Sequence, residues 1–226
     1  MSAQGGPLDL MWIVESKQVL LAGLAVTFEV ALFAIVAGLI LGAGVALCRT
    51  SSNRLLRGAG LLYINFFRMQ ALLVVLSSAY LIGMATLRKH GIYTDIAMPS
   101  ALLAFAVFEA AYFAEILRGG INAVDAGQGA ACQALGMGKW QAYRAVILPQ
   151  AVKNALPSIV IQCVTIFQDS TLVYVVGLSD LFATTLHIGE RDSNTEGAII
   201  FVAIVYLALS VALRRLAKRL GVAAPK

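Results

Sequence analysis

Four ionisable side chains stand inside otherwise apolar stretches of the sequence: Arg68, Glu109, Glu115 and Asp169. Placing a charge in an apolar environment is costly, so such residues are candidates for a functional site. A buried carboxylate can hold an ammonium group, and Glu109 and Asp169 are the two carboxylates best suited to that role. Both could instead join helices by hydrogen bonds, for which the candidate partners are Tyr112, Gln168, Ser170 and Thr171.

Glu115 and Arg118 are three residues apart, so a helix would place them side by side as an ion pair. We expect this pair to be structural. Enzymatic chemistry is poorly supported, since the only histidines, His90 and His187, fall in predicted loops. Residues 177–180 do not form the G-x-S-x-G elbow of a serine nucleophile. The sequence therefore predicts no catalytic residues and no metal ligands.

The composition identifies the kind of element that carries these residues. Hydrophobic residues make up 60% of the 226 and charged residues 13%, against about 45–50% and about 25% in soluble domains. This excludes a soluble enzyme, a disordered chain and a nucleic-acid-binding domain, and it predicts an all-α polytopic membrane protein. The widely spaced Cys48, Cys132 and Cys163 are expected to be packing residues rather than disulfide or zinc ligands.

Five apolar stretches reach the length of about 20 residues that a bilayer-spanning helix needs. They run approximately over 20–47, 59–85, 97–117, 151–176 and 197–217. Twelve of the 17 Lys and Arg residues follow the first, third and fifth stretches or begin the fourth. By the positive-inside rule those segments are cytoplasmic, which puts the amino terminus outside and the carboxyl terminus inside. We predict a periplasmic segment 1–19, one membrane domain 20–217 and a cytoplasmic tail 218–226.

The most informative segment is the predicted cytoplasmic loop 118–150. Ala130 and Ala131 place small side chains on a short helix, where another backbone can approach closely. Gly136 is expected to end that helix, and a second short helix then leads to Pro149 in the first turn of the next span. This segment could bind a cytoplasmic partner, or it could lie as an amphipathic helix on the membrane surface.

The loop resembles the EAA loop of ATP-binding-cassette importer permeases, in the subfamily for polar amino acids. The residues that match the pattern are Glu115, Arg118, Gly119, Ile121, Gly127, Gln128, Ala131, Leu135, Gly136, Trp140, Gln141, Ala142, Ile147, Leu148, Pro149, Gln150 and Ala151. The likeness extends to residues 169–173. There are two departures, since Ala130 stands where the family has Glu and Cys132 replaces an Ala.

A finer resemblance is to glutamate/aspartate importer permeases. It is carried by residues 108–112, 167–169, 173–175 and 188–192. Residues 66–68 also look like the family, whereas Met69, Gln70 and Ala71 replace a small residue, a variable one and the Pro associated with a kink.

The resemblance implies a type I importer permease fold with a cytoplasmic coupling helix, in a multi-pass protein of the cell inner (plasma) membrane. The implied partners are an ATPase dimer that binds ATP-Mg, a second permease subunit (a sister chain or this chain itself) and a periplasmic or extracellular amino-acid-binding protein. This chain has no phosphate-binding G-x-x-x-x-G-K-[ST] loop, so it is not expected to bind the nucleotide or any other cofactor. It also shows no internal repeat, so a two-fold pathway would need a second chain.

Two sets of residues follow from these patterns. The ATPase-coupling set is Gly127, Gln128, Ala130, Ala131, Leu135, Gly136, Trp140, Ile147, Leu148 and Pro149. The substrate-pathway set is Arg68, Glu109, Tyr112, Gln168, Asp169, Ser170 and Thr171. The main rival is a channel or permease that works without ATP and would need no docking loop. A purely structural subunit fits poorly with acidic residues in three spans.

Overall fold

The computed structural model describes residues 11–219, and all of its regular structure there is helical. The first ten residues of the predicted segment 1–19 and residues 220–226 of the predicted tail lie outside this range. The helices are α1 Met11–Glu15, α2 Lys17–Thr50, α3 Arg54–Arg68, α4 Leu72–Lys89, α5 Ala97–Asn122, α6 Ala126–Ala134, α7 Lys139–Ala142, α8 Leu148–Asp169, α9 Leu181–Arg191 and α10 Thr195–Arg219. A π-helical turn, Tyr143–Ile147, precedes α8, and a 3₁₀ segment, Ser170–Val176, follows it.

The prediction of five membrane spans is confirmed. Within residues 11–219, five helical segments are long and apolar enough to cross a bilayer: Lys17–Thr50, Leu72–Lys89, Ala97–Asn122, Lys139–Val176 and Thr195–Arg219. The fourth of these joins α7, the π-helical turn, α8 and the 3₁₀ segment into one helical path. The predicted loop and the fourth span are therefore continuous.

The predicted span 59–85 differs from the structure. The chain forms two helices there, because α3 ends at Arg68 and α4 begins at Leu72. The Met69 N–H donates to the carbonyl oxygens of Asn65 and Phe67 instead of continuing the regular ladder. The bend therefore exists although the Pro expected from the family pattern is replaced by Ala71.

The predicted outer loop 177–196 also differs, since most of it is the helix α9. Asp180 is its N-cap and accepts a hydrogen bond from the Ala183 N–H at 2.9 Å. An acidic residue directly before an apolar run is a helix-start signal, so this helix was detectable in the sequence.

The chain divides into two compact units. The first comprises residues 1–34, 72–105 and 164–215. In its described part, a cluster of buried side chains joins α1, α2, α9 and α10, and its members are Trp12, Leu20, Leu181, Ile188, Ala198 and Val202. Trp12 packs edge-to-face on Phe201, with ring centroids 5.3 Å apart. This packing fixes α9 against the amino-terminal half of α2.

The second unit comprises residues 35–71, 106–163 and 216–226. Ala46 of α2, Ile64 of α3 and Ala114 of α5 form a buried apolar cluster in it. Glycines allow the helices to approach closely: a Cβ on Gly42 would lie 2.9 Å from the Ala110 carbonyl oxygen, and one on Gly120 would lie 2.5 Å from that of Ala151. These approaches set α5 directly against α2 and α8, and they position the polar residues described next.

Candidate functional site

Arg68 and Tyr112 are brought together in the second unit. Arg68 is the last residue of α3 and is exposed, while Tyr112 is half-buried in the middle of α5. The guanidinium carbon lies 5.6 Å from the centroid of the tyrosine ring, within the range of a cation–π contact. This contact restrains the guanidinium beside α5 and leaves its N–H groups available to other acceptors.

Glu115 is held by two arginines. One turn along α5, Arg118 donates from Nε to the Glu115 Oε1 at 3.0 Å and also through its Nη2. Arg49 of α2 donates from Nη1 to the Glu115 Oε2 at 3.3 Å. The structure therefore joins the predicted pair and adds Arg49, which the sequence did not single out because it is 66 residues from Glu115.

Glu109 is fully buried on α5. Its Oε2 accepts a hydrogen bond from the Gln162 Nε2 of α8 at 2.8 Å. Gln162 was not among the partners considered from the sequence, because periodicity within one helix does not reveal which residue of another helix faces it.

These residues border a cleft of about 360 Å³ in the second unit. Its wall is formed by α3, α5 and α8, and the lining includes Arg68, Tyr112, Glu115, Asn154, Ser158 and Gln162. The volume is in the range of small-molecule pockets. The lining offers one guanidinium, one ion-paired carboxylate and several neutral donors and acceptors, which suits a small polar ligand.

The other predicted pathway residues lie in the first unit, at the junction between α8 and the 3₁₀ segment. Gln168 is exposed and donates from Nε2 to the Ser210 Oγ at 3.1 Å. Ser170 is buried and donates to the Phe167 carbonyl oxygen, and Thr171 donates to that of Gln168. Asp169 is half-buried. The hydroxyl groups thus stabilise the change from α- to 3₁₀-helix, and none of them is the printed partner of Glu109.

The predicted coupling segment forms a short helix with defined ends. Asp125 caps α6 by accepting from the Gly127 N–H at 2.7 Å. At the other end Gly136 has a φ of 71°, and its N–H donates to the Gln133 carbonyl oxygen. The Met137 N–H closes the turn by donating to the Cys132 carbonyl oxygen at 3.0 Å. This paired closure with a left-handed glycine is a Schellman motif, and it fixes where α6 stops.

One side of this segment is exposed and the other is attached to the unit. Ala130 and Ala131 are exposed, and so are Leu135 at 79% and Trp140 at 72%. Cys132 is buried at 3%. Gln128 accepts a hydrogen bond from Gln150 of α8 at 3.2 Å. The result is a small-residue surface flanked by two large apolar side chains, held to the start of the fourth span.

Ile147, Leu148 and Pro149 lie where the π-helical turn passes into α8. The Leu148 N–H donates to the Tyr143 carbonyl oxygen, five residues back. A proline lacks an N–H and its ring crowds the preceding turn, which a wider turn accommodates. The π-helical turn therefore allows Pro149 to stand inside a continuous helical path.

Metal chemistry finds no support in the part of the chain that the structure describes. Residues 11–219 contain no group of three His, Cys, Asp or Glu side chains placed to hold a metal ion. Cys48, Cys132 and Cys163 are all unbridged.

Comparisons with known proteins place this arrangement. The family model described as binding-protein-dependent transport system inner membrane component matches residues 34–221. The chain is 40% identical to the glutamate/aspartate import permease protein GltK of Escherichia coli O6:H1, over 90% of this chain and 92% of that protein. It is 32% identical to the arginine transport system permease protein ArtQ of Bacillus subtilis, over 93% and 94% of the two chains.

A crystal structure of an amino acid ABC transporter with histidines has the same fold. Its chain superposes with a TM-score of 0.86 at 30% identity, covering 94% of this chain and 97% of the other. By its family match and its relatives, the chain therefore belongs to the binding-protein-dependent transport system inner membrane components, as a multi-pass permease subunit of an ATP-binding-cassette importer and not an enzyme.

Proposed function

We propose that this chain forms the translocation pathway of an amino-acid importer whose substrates are glutamate and aspartate. The observation that carries this proposal is the 40% identity to GltK along 90% of the chain. The 32% identity to an arginine permease and the 34% identity to a putative glutamine permease of Rickettsia conorii support amino acids as the broader class.

The charges of the second unit also favour an acidic substrate. Arg49, Arg68 and Arg118 lie around Glu115, so this region carries more positive than negative side chains. A cation at this position would be repelled, whereas an amino acid with a second carboxylate would be attracted.

The exposed face of α6 is the surface that we propose to couple the chain to an ATPase. The set consists of Gly127, Gln128, Ala130, Ala131, Leu135, Gly136, Trp140, Ile147, Leu148 and Pro149. Small exposed side chains let the backbone of α6 enter a cleft on another protein, and Leu135 and Trp140 supply apolar contact area beside it. The hydrogen bond between Gln128 and Gln150 then links motion of α6 to α8.

The same proposal includes the orientation and the partners. The loop 118–150 faces the cytoplasm, with the amino terminus outside and the carboxyl terminus inside. The partners are an ATPase dimer that binds ATP-Mg, a second permease subunit and an external amino-acid-binding protein. The chain itself holds no nucleotide.

Replacement of Ala131 by Arg tests the coupling surface. A long cation on the exposed face of α6 would prevent close approach, so uptake should fall to background while the subunit still reaches the membrane. Ala123→Arg is the matched control, because Ala123 is also exposed but precedes α6. Normal uptake by the Ala131→Arg complex would count against this surface.

The transport proposal itself is tested by uptake into liposomes that contain the purified complex. We expect ATP-dependent accumulation of labelled glutamate and aspartate in the presence of the binding protein. Uptake of glutamine or arginine without glutamate uptake would overturn the substrate assignment. Flux that persists when the ATPase is omitted would instead favour the rival explanation of an ATP-independent channel.

A further inference from the structure

We propose that the cleft between α3, α5 and α8 binds the side-chain carboxylate of an acidic amino acid, with Arg68 as the specificity-determining residue. This inference rests on the proposed function and deepens it. It concerns selection by the permease itself, as a step separate from recognition by an external binding protein.

The distribution of ion pairs singles out Arg68 among the arginines of the second unit. Arg118 and Arg49 each bind one of the two carboxylate oxygens of Glu115. Within residues 11–219, Arg68 makes no ion pair, although it lines the same cleft as Glu115. A guanidinium that is not neutralised by the protein can bind a carboxylate of the ligand through two parallel N–H···O bonds.

Tyr112 prepares Arg68 for this role. The ring lies under the guanidinium at 5.6 Å, so the contact uses the flat face of the group. The N–H donors lie in the plane of the guanidinium and point away from that face. Stacking therefore restrains the side chain without occupying its donors, and less conformational freedom is lost when a ligand binds.

The rest of the cleft suits the other end of an amino acid. Asn154, Ser158 and Gln162 lie along α8 and provide neutral oxygens. The Gln162 Nε2 donates to the buried Glu109, which turns the amide so that its oxygen remains an acceptor for an ammonium group. A ligand with an ammonium near Gln162 and a carboxylate near Arg68 would satisfy both ends of the cleft.

The same arrangement rejects the competing amino acids. Glutamine has the size of glutamate but offers Arg68 a neutral amide, which is a weaker partner than a carboxylate. Arginine would place a second guanidinium next to Arg68 and would be repelled. The cleft therefore separates substrates by charge rather than by size.

Equilibrium binding to the purified complex tests the inference. The complex of this chain with its ATPase and second permease subunit is placed in nanodiscs without the binding protein, and labelled glutamate is titrated. We expect saturable binding that glutamine and inorganic phosphate displace poorly. In Arg68→Gln the affinity for glutamate should fall by about tenfold or more, because a charge-assisted pair is lost.

Two further variants make the result specific. Arg68→Lys keeps the charge but not the bidentate fork, so its affinity should be intermediate. Arg57→Gln removes an exposed arginine from the same helix outside the cleft, and it should bind glutamate like the wild type. Gel filtration and basal ATPase activity show whether each complex is assembled; if Arg68→Gln does not assemble, the comparison of Arg68→Lys with the wild type decides.

Equal glutamate affinity of wild type and Arg68→Gln would overturn the inference, as would equal binding of glutamate and glutamine by the wild type. Absence of saturable binding would overturn it as well. None of these results bears on the substrate proposal, which depends on glutamate uptake by the wild-type complex. Glutamate uptake with an unselective cleft would show that selection belongs to the binding protein alone.

Discussion

Asp180 combines two structural tasks in a fully buried side chain. Its Oδ1 caps α9 through the Ala183 N–H, and its Oδ2 accepts from the Tyr206 hydroxyl at 3.4 Å. We expect Asp180→Ala to destabilise the protein by about 1–2 kcal/mol, because a helix cap is lost and a buried donor is left without an acceptor. Asp180→Asn should be milder, since an amide oxygen can still cap. Thermal unfolding in detergent would measure both, and equal effects of Ala and Asn would contradict the capping role.

The same carboxylate gives stability a dependence on pH. Burial raises the pKa of Asp180 above its ordinary value of 3.8. The contribution of this group to stability is therefore full below that value and is lost as the pH rises through the higher pKa of the folded protein. Asp180→Asn removes this dependence, so the variant should compare least favourably with the wild type at the acidic end of the range.

Glu115 is the centre of the ion-pair cluster, and Arg49 and Arg118 are its two ends. Glu115→Gln should lower stability by about 1–2 kcal/mol, because both pairs weaken and the arginines then repel each other. Arg49→Gln should cost less, since Arg118 still pairs with Glu115. Thermal unfolding of the two variants checks this order, and a larger effect of Arg49→Gln would refute the central position of Glu115.

At the scale of one residue, the sequence predicts local pairs well and distant ones poorly. The spacing of Glu115 and Arg118 predicts their contact because both lie on one helix. Arg49 and Gln162, the partners from other helices, depend on how helices pack, and no pattern within a helix encodes that. Asn154 and Ser158 have no distinguishing feature in the sequence, and only the cleft identifies them.

Among the elements, α6 depends on the glycine at its end. Gly136 has a φ of 71°, a conformation that costs an alanine about 1 kcal/mol. Gly136→Ala should therefore loosen α6 and accelerate hydrogen exchange of its amides. Gly129→Ala is the matched control, because Gly129 lies within α6 with open space around it and alanine favours a helix. Faster exchange in the control than in Gly136→Ala would contradict this reading of the turn.

The sequence predicts the long apolar helices but not where they bend. The span count follows from length and hydropathy. The break between α3 and α4 has no Pro or Gly at residues 69–71 to announce it, so it depends on tertiary packing. The π-helical turn before Pro149 is likewise invisible in composition. The helix α9, in contrast, has Asp180 as its start signal and could have been predicted.

For the whole molecule, the proposed orientation makes a simple prediction about accessibility. In a chain whose native cysteines are replaced by alanine, a cysteine at Ser193 should react with a membrane-impermeant reagent added outside cells. A cysteine at Gln133, which is exposed on α6, should react only in inside-out vesicles. Labelling of the Gln133 position from outside would invert the topology and remove α6 from any ATPase in the cytoplasm.

The length of α2 has a consequence for the membrane around the protein. Its 34 residues extend about 51 Å at 1.5 Å per residue, whereas the hydrocarbon layer is about 30 Å thick. Only residues 30–48, between Glu29 and Arg49, lack Asp, Glu, Lys and Arg for a comparable length. Glu29 should therefore lie at the head-group boundary, with Lys17 and its neighbours beyond it. In a bilayer made of longer acyl chains, the lipid would have to thin locally or take up the Glu29 carboxylate, so lipid chain length becomes a variable that acts on this helix.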